Sequence, residues 1–261
     1  MIITFDVGNT NTVTGVFDGD NLIFETRAET NPSRMADEYV FLLMSALQLN
    51  GVTAKSIDGA IISSVVPPVT EQLCSAVRKL FSVEALVVGP GVKTGLNIKA
   101  DNSREVGADI IVDSVSAINR YGIGTPIICI DFGTATTFDI ISEKGELIGV
   151  VIAPGIKGSL DSLVGGTANL PNIELEKPPS IIAKNTVNCM QAGVLYGFSG
   201  LVGNIVNKIK EELKRVDAKV IATGGLGKFI YDETECIDVF DATLTLNGLR
   251  IIYEMNSGNK K

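Results

Sequence analysis

Two seven-residue segments, Asp6–Thr12 (DVGNTNT) and Asp131–Thr137 (DFGTATT), combine the residue types that hold phosphate groups. Each begins with an aspartate at the end of an apolar run, followed by glycine and then by hydroxyl or amide residues. The glycine permits close backbone approach, and amide N–H groups and the side chains of Asn9, Thr10 and Thr12 can donate to phosphate oxygens. A carboxylate would repel phosphate, so its expected partner is a hydrated Mg²⁺ that bridges to the phosphates.

The two segments begin 125 residues apart, and three of their seven positions are identical when Thr12 is matched with Thr137. A single turn of this kind is also explained as an Asx-capped β-hairpin, and a short match can arise by coincidence. Because both segments occur at a strand-to-turn junction, the match favours a duplicated unit. Two such turns facing each other would clamp a triphosphate from both sides.

Asp109 is the candidate acid–base residue. The chain contains no histidine, which excludes histidine-based triads and histidine-ligated zinc, and leaves proton transfer to carboxylate, lysine, tyrosine or cysteine. Asp109 opens a predicted helix, where the helix dipole alone favours an aspartate. At the edge of a cleft, the same carboxylate could accept the proton of a substrate hydroxyl during phosphoryl transfer.

Composition limits the class of protein. The 261 residues are 45% hydrophobic and 20% charged, which is typical of a globular protein, and the net charge is −8. An acidic surface repels a nucleic-acid backbone, so no nucleic-acid partner is expected. The four cysteines form no CxxC pair, no signal-peptide pattern is visible and no run approaches 18 apolar residues. These features predict a cytoplasmic protein without a membrane partner.

Hydrophobic periodicity predicts alternating strands and helices. The predicted strands cover 1–7, 12–17, 22–27, 60–66, 85–88, 126–131, 137–141, 147–152 and 219–222. The predicted helices cover 35–50, 69–81, 109–119, 185–215 and 242–255. The order of these elements predicts an α/β fold made of two similar halves, 1–120 and 121–261, which pack against each other across a cleft.

Six motifs resemble those of type III pantothenate kinases, members of the acetate kinase/Hsp70/actin-like superfamily, and the resemblance covers almost the full length. They are DVGNTNT (6–12), GAD (107–109), DFGTATTFD (131–139), APGI (153–156), KNTVNCMQAG (184–193) and TGG (223–225). The resemblance implies a duplicated actin-like (ribonuclease H-like) fold with the active site between the halves. It also implies ATP-dependent phosphorylation of the primary hydroxyl of pantothenate, the first step of coenzyme A biosynthesis. The implied cofactors are Mg²⁺ and a monovalent cation, K⁺ or NH₄⁺.

The resemblance also implies a role for individual residues. The ATP phosphates and Mg²⁺ would be held by Thr134 and by Asp6, Val7, Gly8, Asn9, Thr10, Asn11, Thr12 and Val13. Asp131 would bind the monovalent cation and Asp109 would be the general base. Gly107, Ala108, Asp109 and Ile110 would line the acceptor pocket. Thr186 would contact the substrate across a homodimer interface.

Three residues depart from the family pattern on the acceptor side. Ile110 replaces the arginine of the family's GADR motif, Ala100 stands where a tyrosine is usual, and Gly166 replaces an arginine before Thr167. Because a guanidinium is the best partner for the carboxylate of pantothenate, its loss costs about 1.5–3 kcal/mol. Three interpretations stay open: a pantothenate kinase with weakened acceptor binding, a kinase for another small hydroxylated metabolite, or a nucleotide-binding paralogue without catalysis.

Overall fold

The computed structural model describes residues 1–103 and 105–258, which form two compact units. Unit 1 contains Met1–Leu96, Asp101–Asn119 and the segment that begins at Thr243. Unit 2 contains Asn97–Ala100 and Arg120–Ala242. These units differ from the predicted halves, 1–120 and 121–261, chiefly because the last helix groups with unit 1. Residues 259–261 of the predicted second half lie outside the described residues.

Unit 1 is built on a five-stranded sheet whose central strand ends at the first polar turn. Its strands are β1 (Ile2–Val7), β2 (Asn11–Asp18), β3 (Asn21–Glu29), β4 (Gly59–Ser64) and β5 (Ala85–Val87). Their order is β3-β2-β1-β4-β5, with β1 antiparallel to β2 and parallel to β4. Ile3, Phe5 and Val7 are buried on one face of β1, so Asp6 belongs to the opposite face.

Unit 2 is built on a six-stranded sheet. Its strands are β6 (Asn97–Ile98), β7 (Ile127–Phe132), β8 (Ala135–Ile141), β9 (Glu146–Pro154), β10 (Lys219–Thr223) and β11 (Val239–Phe240). Their order is β11-β10-β7-β8-β9-β6, with β7 antiparallel to β8 and parallel to β10. The second polar turn follows the central strand β7, as the first follows β1.

Helices cover the faces of both sheets. They are α1 (Ala36–Leu49), α2 (Pro67–Phe81), α3 (Ala108–Tyr121), α4 (Ile156–Gly165), α5 (Thr186–Leu213), α6 (Gly227–Tyr231) and α7 (Leu244–Ser257), with a 3₁₀ turn at Ala54–Ser56. In unit 1, α1 and α2 share one apolar cluster, whereas α3 and α7 contribute to another. The sequence predicts a strand stop at Pro67-Pro68, and these prolines in fact open α2, where no amide donor is needed.

The long helix α5 packs into the core of unit 2. Leu195, Phe198 and Val202 of α5 are buried in the same cluster as Ile128 and Ile130 of β7. Among the described residues, α5 alone is long and apolar enough, by length and composition, to cross a membrane. Most of its buried residues belong to the core cluster of unit 2, and the core helix of a globular protein passes the same test.

The two sheets have the same strand order around their polar turns, which agrees with the predicted duplication. One detail of the predicted match is wrong. Val7 pairs with Thr12 across the first turn, and Phe132 pairs with Thr136 across the second. The second turn is therefore one residue shorter, so Thr12 corresponds to Thr136 rather than to Thr137.

Candidate active site

The first polar turn lies at the carboxyl end of β1, the end at which parallel strands usually present their ligand-binding residues. The N–H of Gly8 donates to the carbonyl oxygen of Asn11 at 3.0 Å and closes the turn. Asn9 and Thr10 are exposed, whereas Asp6 is half-buried. The turn thus presents amide and hydroxyl donors beside a carboxylate, as the sequence predicts.

Thr12 occupies a different environment from its neighbours. Its side chain is 4% exposed, and its hydroxyl lies 2.9 Å from the hydroxyl of Thr30 in a hydrogen bond. The sequence predicts that this hydroxyl donates directly to a phosphate oxygen. In the structure it is buried and bonded to Thr30, so the side chain of Thr12 supports the turn from the interior of unit 1.

Ser63 lies beside Asp6 at the carboxyl end of the unit 1 sheet, and the two side chains are suitable oxygen ligands for a cation. The two residues are partners in the parallel β1–β4 register, so their side chains share a face. The hydroxyl of Ser63 is buried and has no hydrogen-bond partner among the described residues. Carboxylate and hydroxyl oxygens, together with water, are the donor set that Mg²⁺ accepts, so the residues present fit a hydrated Mg²⁺.

The second polar turn is formed by Gly133 and Thr134, both exposed, between β7 and β8. Asp131 is half-buried at the end of β7, and its register partner on β10 is Thr223 of the TGG motif. Gly224 has φ +93°, and a Cβ there would overlap Asp131 Oδ1 and lie 2.6 Å from the backbone nitrogen of Phe132. TGG therefore packs directly on the predicted cation-binding aspartate, which explains why this position needs glycine.

Gly155 of the APGI motif supports the same turn. A Cβ at Gly155 would overlap the carbonyl oxygen of Thr134 and lie 2.9 Å from that of Gly133. The backbone after β9 thus runs immediately against the second turn. In the sequence, APGI is only a part of the family resemblance and Gly155 has no role of its own, because it lies 21 positions after Thr134.

Asp109 is fixed at the start of α3 in unit 1. Its Oδ1 accepts the N–H of Ile110 at 2.9 Å, and a Cβ on Gly107 would overlap the same oxygen. Gly107 and Ala108 are half-buried, as are Asp109 and Ile110. The hydrogen bond and the close contact therefore define the orientation of the Asp109 carboxylate within the predicted acceptor-binding segment.

Thr186 is the first residue of α5 in unit 2 and is exposed. The side chain of the preceding Asn185 caps the helix by accepting the N–H of Asn188 at 2.9 Å. This cap fixes the backbone at the first turn of α5.

The structure distributes the predicted site residues between the two units. Unit 1 contains the first turn, 6–13, and the segment 107–110, whereas unit 2 contains Asp131, Thr134 and Thr186. Three supporting residues have no role in the sequence analysis: Thr30, Ser63 and Gly155. None carries a local signal, because each acts through a contact with a segment distant in sequence.

Comparison with characterised sequences gives matches over the whole chain. A family model described as type III pantothenate kinase matches residues 2–208. A type III pantothenate kinase of Geobacillus sp. (strain WCH70) is 50% identical over 261 residues, covering 100% of both chains. The three departures on the acceptor side therefore lie in a chain that matches this relative over its full length.

Solved structures with the same fold are much less similar in sequence. A putative 2-dehydro-3-deoxygalactonokinase from Sinorhizobium meliloti has a TM-score of 0.63 at 12% identity, covering 100% of this chain and 98% of that chain. MreB 5 of Spiroplasma citri, solved with AMPPNP, has a TM-score of 0.57 at 12% identity, covering 99% and 97%. These matches show the fold alone, and they confirm the duplicated actin-like fold.

Proposed function

The chain belongs to the type III pantothenate kinase family. We propose the following roles for its residues in the transfer of a phosphoryl group from ATP to the primary hydroxyl of pantothenate. The observation that supports the activity most directly is 50% identity to a type III pantothenate kinase over the full length of both chains. The enzyme is a phosphotransferase with an alcohol acceptor, and its reaction is the first step of coenzyme A biosynthesis.

The two polar turns hold the phosphates of ATP in this proposal. Exposed Asn9 and Thr10 of the first turn and exposed Thr134 of the second donate hydrogen bonds to phosphate oxygens. The half-buried Asp6 holds a hydrated Mg²⁺ and Asp131 holds K⁺ or NH₄⁺. When bound, these cations supply positive charge that offsets the charge of the transferred group.

Asp109 acts as the general base. The acceptor oxygen forms a bond to the γ-phosphorus while the bond from that phosphorus to the β–γ bridging oxygen breaks, which releases ADP. The proton of the acceptor hydroxyl passes to Asp109. Because the N–H of Ile110 already donates to Oδ1, we assign the proton to Oδ2. Gly107, Ala108 and Ile110 line the acceptor pocket around this carboxylate.

Three features of the enzyme complete the proposal. The protein acts in the cytoplasm as a homodimer, and Thr186 contacts the acceptor bound by the other subunit. The exposure of Thr186 and the cap provided by Asn185 support this role, since an exposed residue on a fixed helix start is available to a second chain.

A transfer assay tests the activity. Labelled ATP, pantothenate, Mg²⁺ and K⁺ should yield labelled 4'-phosphopantothenate, and absence of product at millimolar pantothenate would refute the activity.

Replacing K⁺ by Na⁺ tests the monovalent-cation site and should lower the rate of the parent enzyme. Asp131→Asn should remove most of that difference between the two ions, because a neutral amide binds a monovalent cation more weakly than a carboxylate.

A different small hydroxylated acceptor is the second candidate, and Ile110 favours it. This half-buried apolar side chain stands next to the proposed base and provides no positive charge for the carboxylate of pantothenate. A panel of hydroxylated metabolites scored by ADP release separates the two candidates. An acceptor with a higher kcat/KM than pantothenate would establish the second candidate, and pantothenate as the best acceptor would remove it.

A further inference from the structure

Thr30, the residue that follows β3, contacts the first turn at two points. Its N–H donates to the carbonyl oxygen of Thr10 at 3.0 Å, and its hydroxyl lies 2.9 Å from that of Thr12. Both threonines are buried, with Thr30 8% and Thr12 4% exposed. Because a buried hydroxyl without a partner is unfavourable, this pair holds the end of β3 against the turn.

Unit 2 contains a similar, but not identical, contact at the equivalent place. Thr136, the counterpart of Thr12, is fully buried and donates through its hydroxyl to the carbonyl oxygen of Pro154 at 3.1 Å. Thr12 pairs with Ala28 and Thr136 pairs with Ala153, so Thr30 and Gly155 occupy equivalent positions, two residues further along. Gly155 packs on the carbonyl oxygen of Thr134. In both units the segment at the end of the third strand therefore packs against the polar turn, through hydrogen bonds of Thr30 in unit 1 and through Pro154 and Gly155 in unit 2.

We propose that Thr30 is a positioning residue for nucleotide binding, acting through Thr10 and Thr12. The proposal rests on the proposed function, since it takes the first turn as the phosphate-binding turn. Hydrogen-bond donors bind phosphate tightly only when they are already in place, because ordering a loose turn reduces the net free energy of binding. Thr30 holds the turn in place from the protein interior, without contacting a phosphate itself.

Thr30→Val tests the hydroxyl while keeping the shape of the side chain and the backbone bond to Thr10. We expect the Kd for ATP, measured by calorimetry, and the KM for ATP to rise about five- to tenfold, the effect of one lost buried hydrogen bond. The kcat at saturating ATP should stay within about twofold, because Thr30 lies outside the reacting groups. Thr30→Ser, which restores the hydroxyl, should bring the Kd back near that of the parent.

Thr4→Val is the matched control. Thr4 of β1 is likewise a buried threonine of unit 1, and its hydroxyl donates to the carbonyl oxygen of Gly15 at 3.2 Å, away from the turn. This variant should lose stability as Thr30→Val does but keep the parent Kd for ATP. If Thr30→Val does not fold, Thr12→Val, which removes the other half of the pair, is compared with Thr4→Val in the same way.

Three outcomes are distinguishable. Weaker ATP binding in Thr30→Val than in Thr4→Val supports the proposal, whereas equal ATP affinity in the two variants overturns it. A parent protein that binds ATP but transfers no phosphoryl group to pantothenate refutes the proposed function alone, since the comparison of Kd values still decides the role of Thr30.

Discussion

The carboxylate of Asp109, the proposed base, is oriented by the backbone next to it. The N–H of Ile110 holds Oδ1, and the missing side chain of Gly107 leaves room for the same oxygen. A carboxylate fixed in this way loses little conformational freedom when a substrate binds, which is a condition for efficient proton transfer. The orientation follows from residues within the four-residue segment 107–110 and so is encoded locally.

Asp109→Asn tests the proposed base at this scale. The amide oxygen can still accept the N–H of Ile110, so the fold of the segment should be retained. We expect kcat for pantothenate to fall by about 10²- to 10⁴-fold, the usual contribution of a general base. The Kd for ATP should not change. A kcat within threefold of the parent would show that Asp109 is not the base.

Ile110→Arg tests the carboxylate contact that the sequence lacks. A guanidinium at this position should lower the KM for pantothenate about ten- to hundredfold, corresponding to ~1.5–3 kcal/mol for a charged contact. Ile110→Met is the control, because it changes the shape of the side chain without adding charge. An unchanged KM in Ile110→Arg would mean that another group of the pocket recognises the carboxylate.

At the scale of elements, the second polar turn is defined by two neighbouring backbone segments that approach it closely. Gly155 after β9 lies against Thr134, and Gly224 after β10 lies against Asp131. Neither approach is possible with a side chain in place, because a Cβ would occupy the space of a backbone or carboxylate oxygen. The motifs APGI and TGG therefore act as packing surfaces for the turn, a role that their sequences alone do not indicate.

Gly155→Ala tests this packing, with Gly158→Ala as the matched control. Gly155 has φ −75°, so alanine adds no backbone strain and acts only through its contact with Thr134. We expect a loss of about 1–3 kcal/mol in the free energy of unfolding and a raised KM for ATP. Gly158, in α4, has open space at its Cβ, so alanine there should leave the KM unchanged and stabilise the helix by up to ~1 kcal/mol. Equal behaviour of the two variants in urea unfolding would contradict this account.

Across the whole molecule, the chain passes from unit 1 into the main part of unit 2 after Asn119 and returns after Ala242, apart from the short segment Asn97–Ala100, which also belongs to unit 2. A polar cluster within unit 2 lies beside both passages. Tyr121 donates through its hydroxyl to Asp241 Oδ2 at 2.9 Å, and Arg120 Nε lies 3.2 Å from the same oxygen. The cluster ties the first residues of the incoming segment to the end of the outgoing one.

The pKa of Tyr121 makes this cluster sensitive to alkaline pH. Burial of the phenol, and secondly its hydrogen bond to Asp241, raise the pKa of Tyr121 from 10.0 to about 12. Since the folded-state pKa is above the unfolded value, the contribution of Tyr121 to stability is complete below pH 10 and is lost as the pH rises toward 12.

Tyr121→Phe isolates that contribution. Near pH 8 the variant should be less stable than the parent by about 1 kcal/mol, the net value of one hydrogen bond. Urea unfolding at pH 8, 10 and 11 should show this difference shrinking above pH 10, because only the parent loses the contribution of the neutral phenol. A difference that stays constant over this range would contradict the raised pKa.

Predictions of individual elements from the sequence are largely correct. The helix predicted over 35–50 is α1, Ala36–Leu49, and the strand predicted over 1–7 is β1, Ile2–Val7. Four short elements are missing from the prediction: the helices α4 and α6 and the two-residue strands β6 and β11. A short element is stabilised by the structure that it joins, so its own sequence carries a weak local signal.

Residue types and their spacing are enough to predict each polar turn and the segment that orients Asp109, because each depends on residues within a few positions of one another. The duplication follows from the recurrence of a similar motif 125 residues later. The folded chain was needed to group α7 with unit 1, to match Thr12 with Thr136, and to place Thr30 and Gly155 against the turns. Those features depend on contacts between residues far apart in the chain. Their free energy comes from the burial of side chains and from hydrogen bonds between strands paired in one register. No local pattern of residues specifies these contacts.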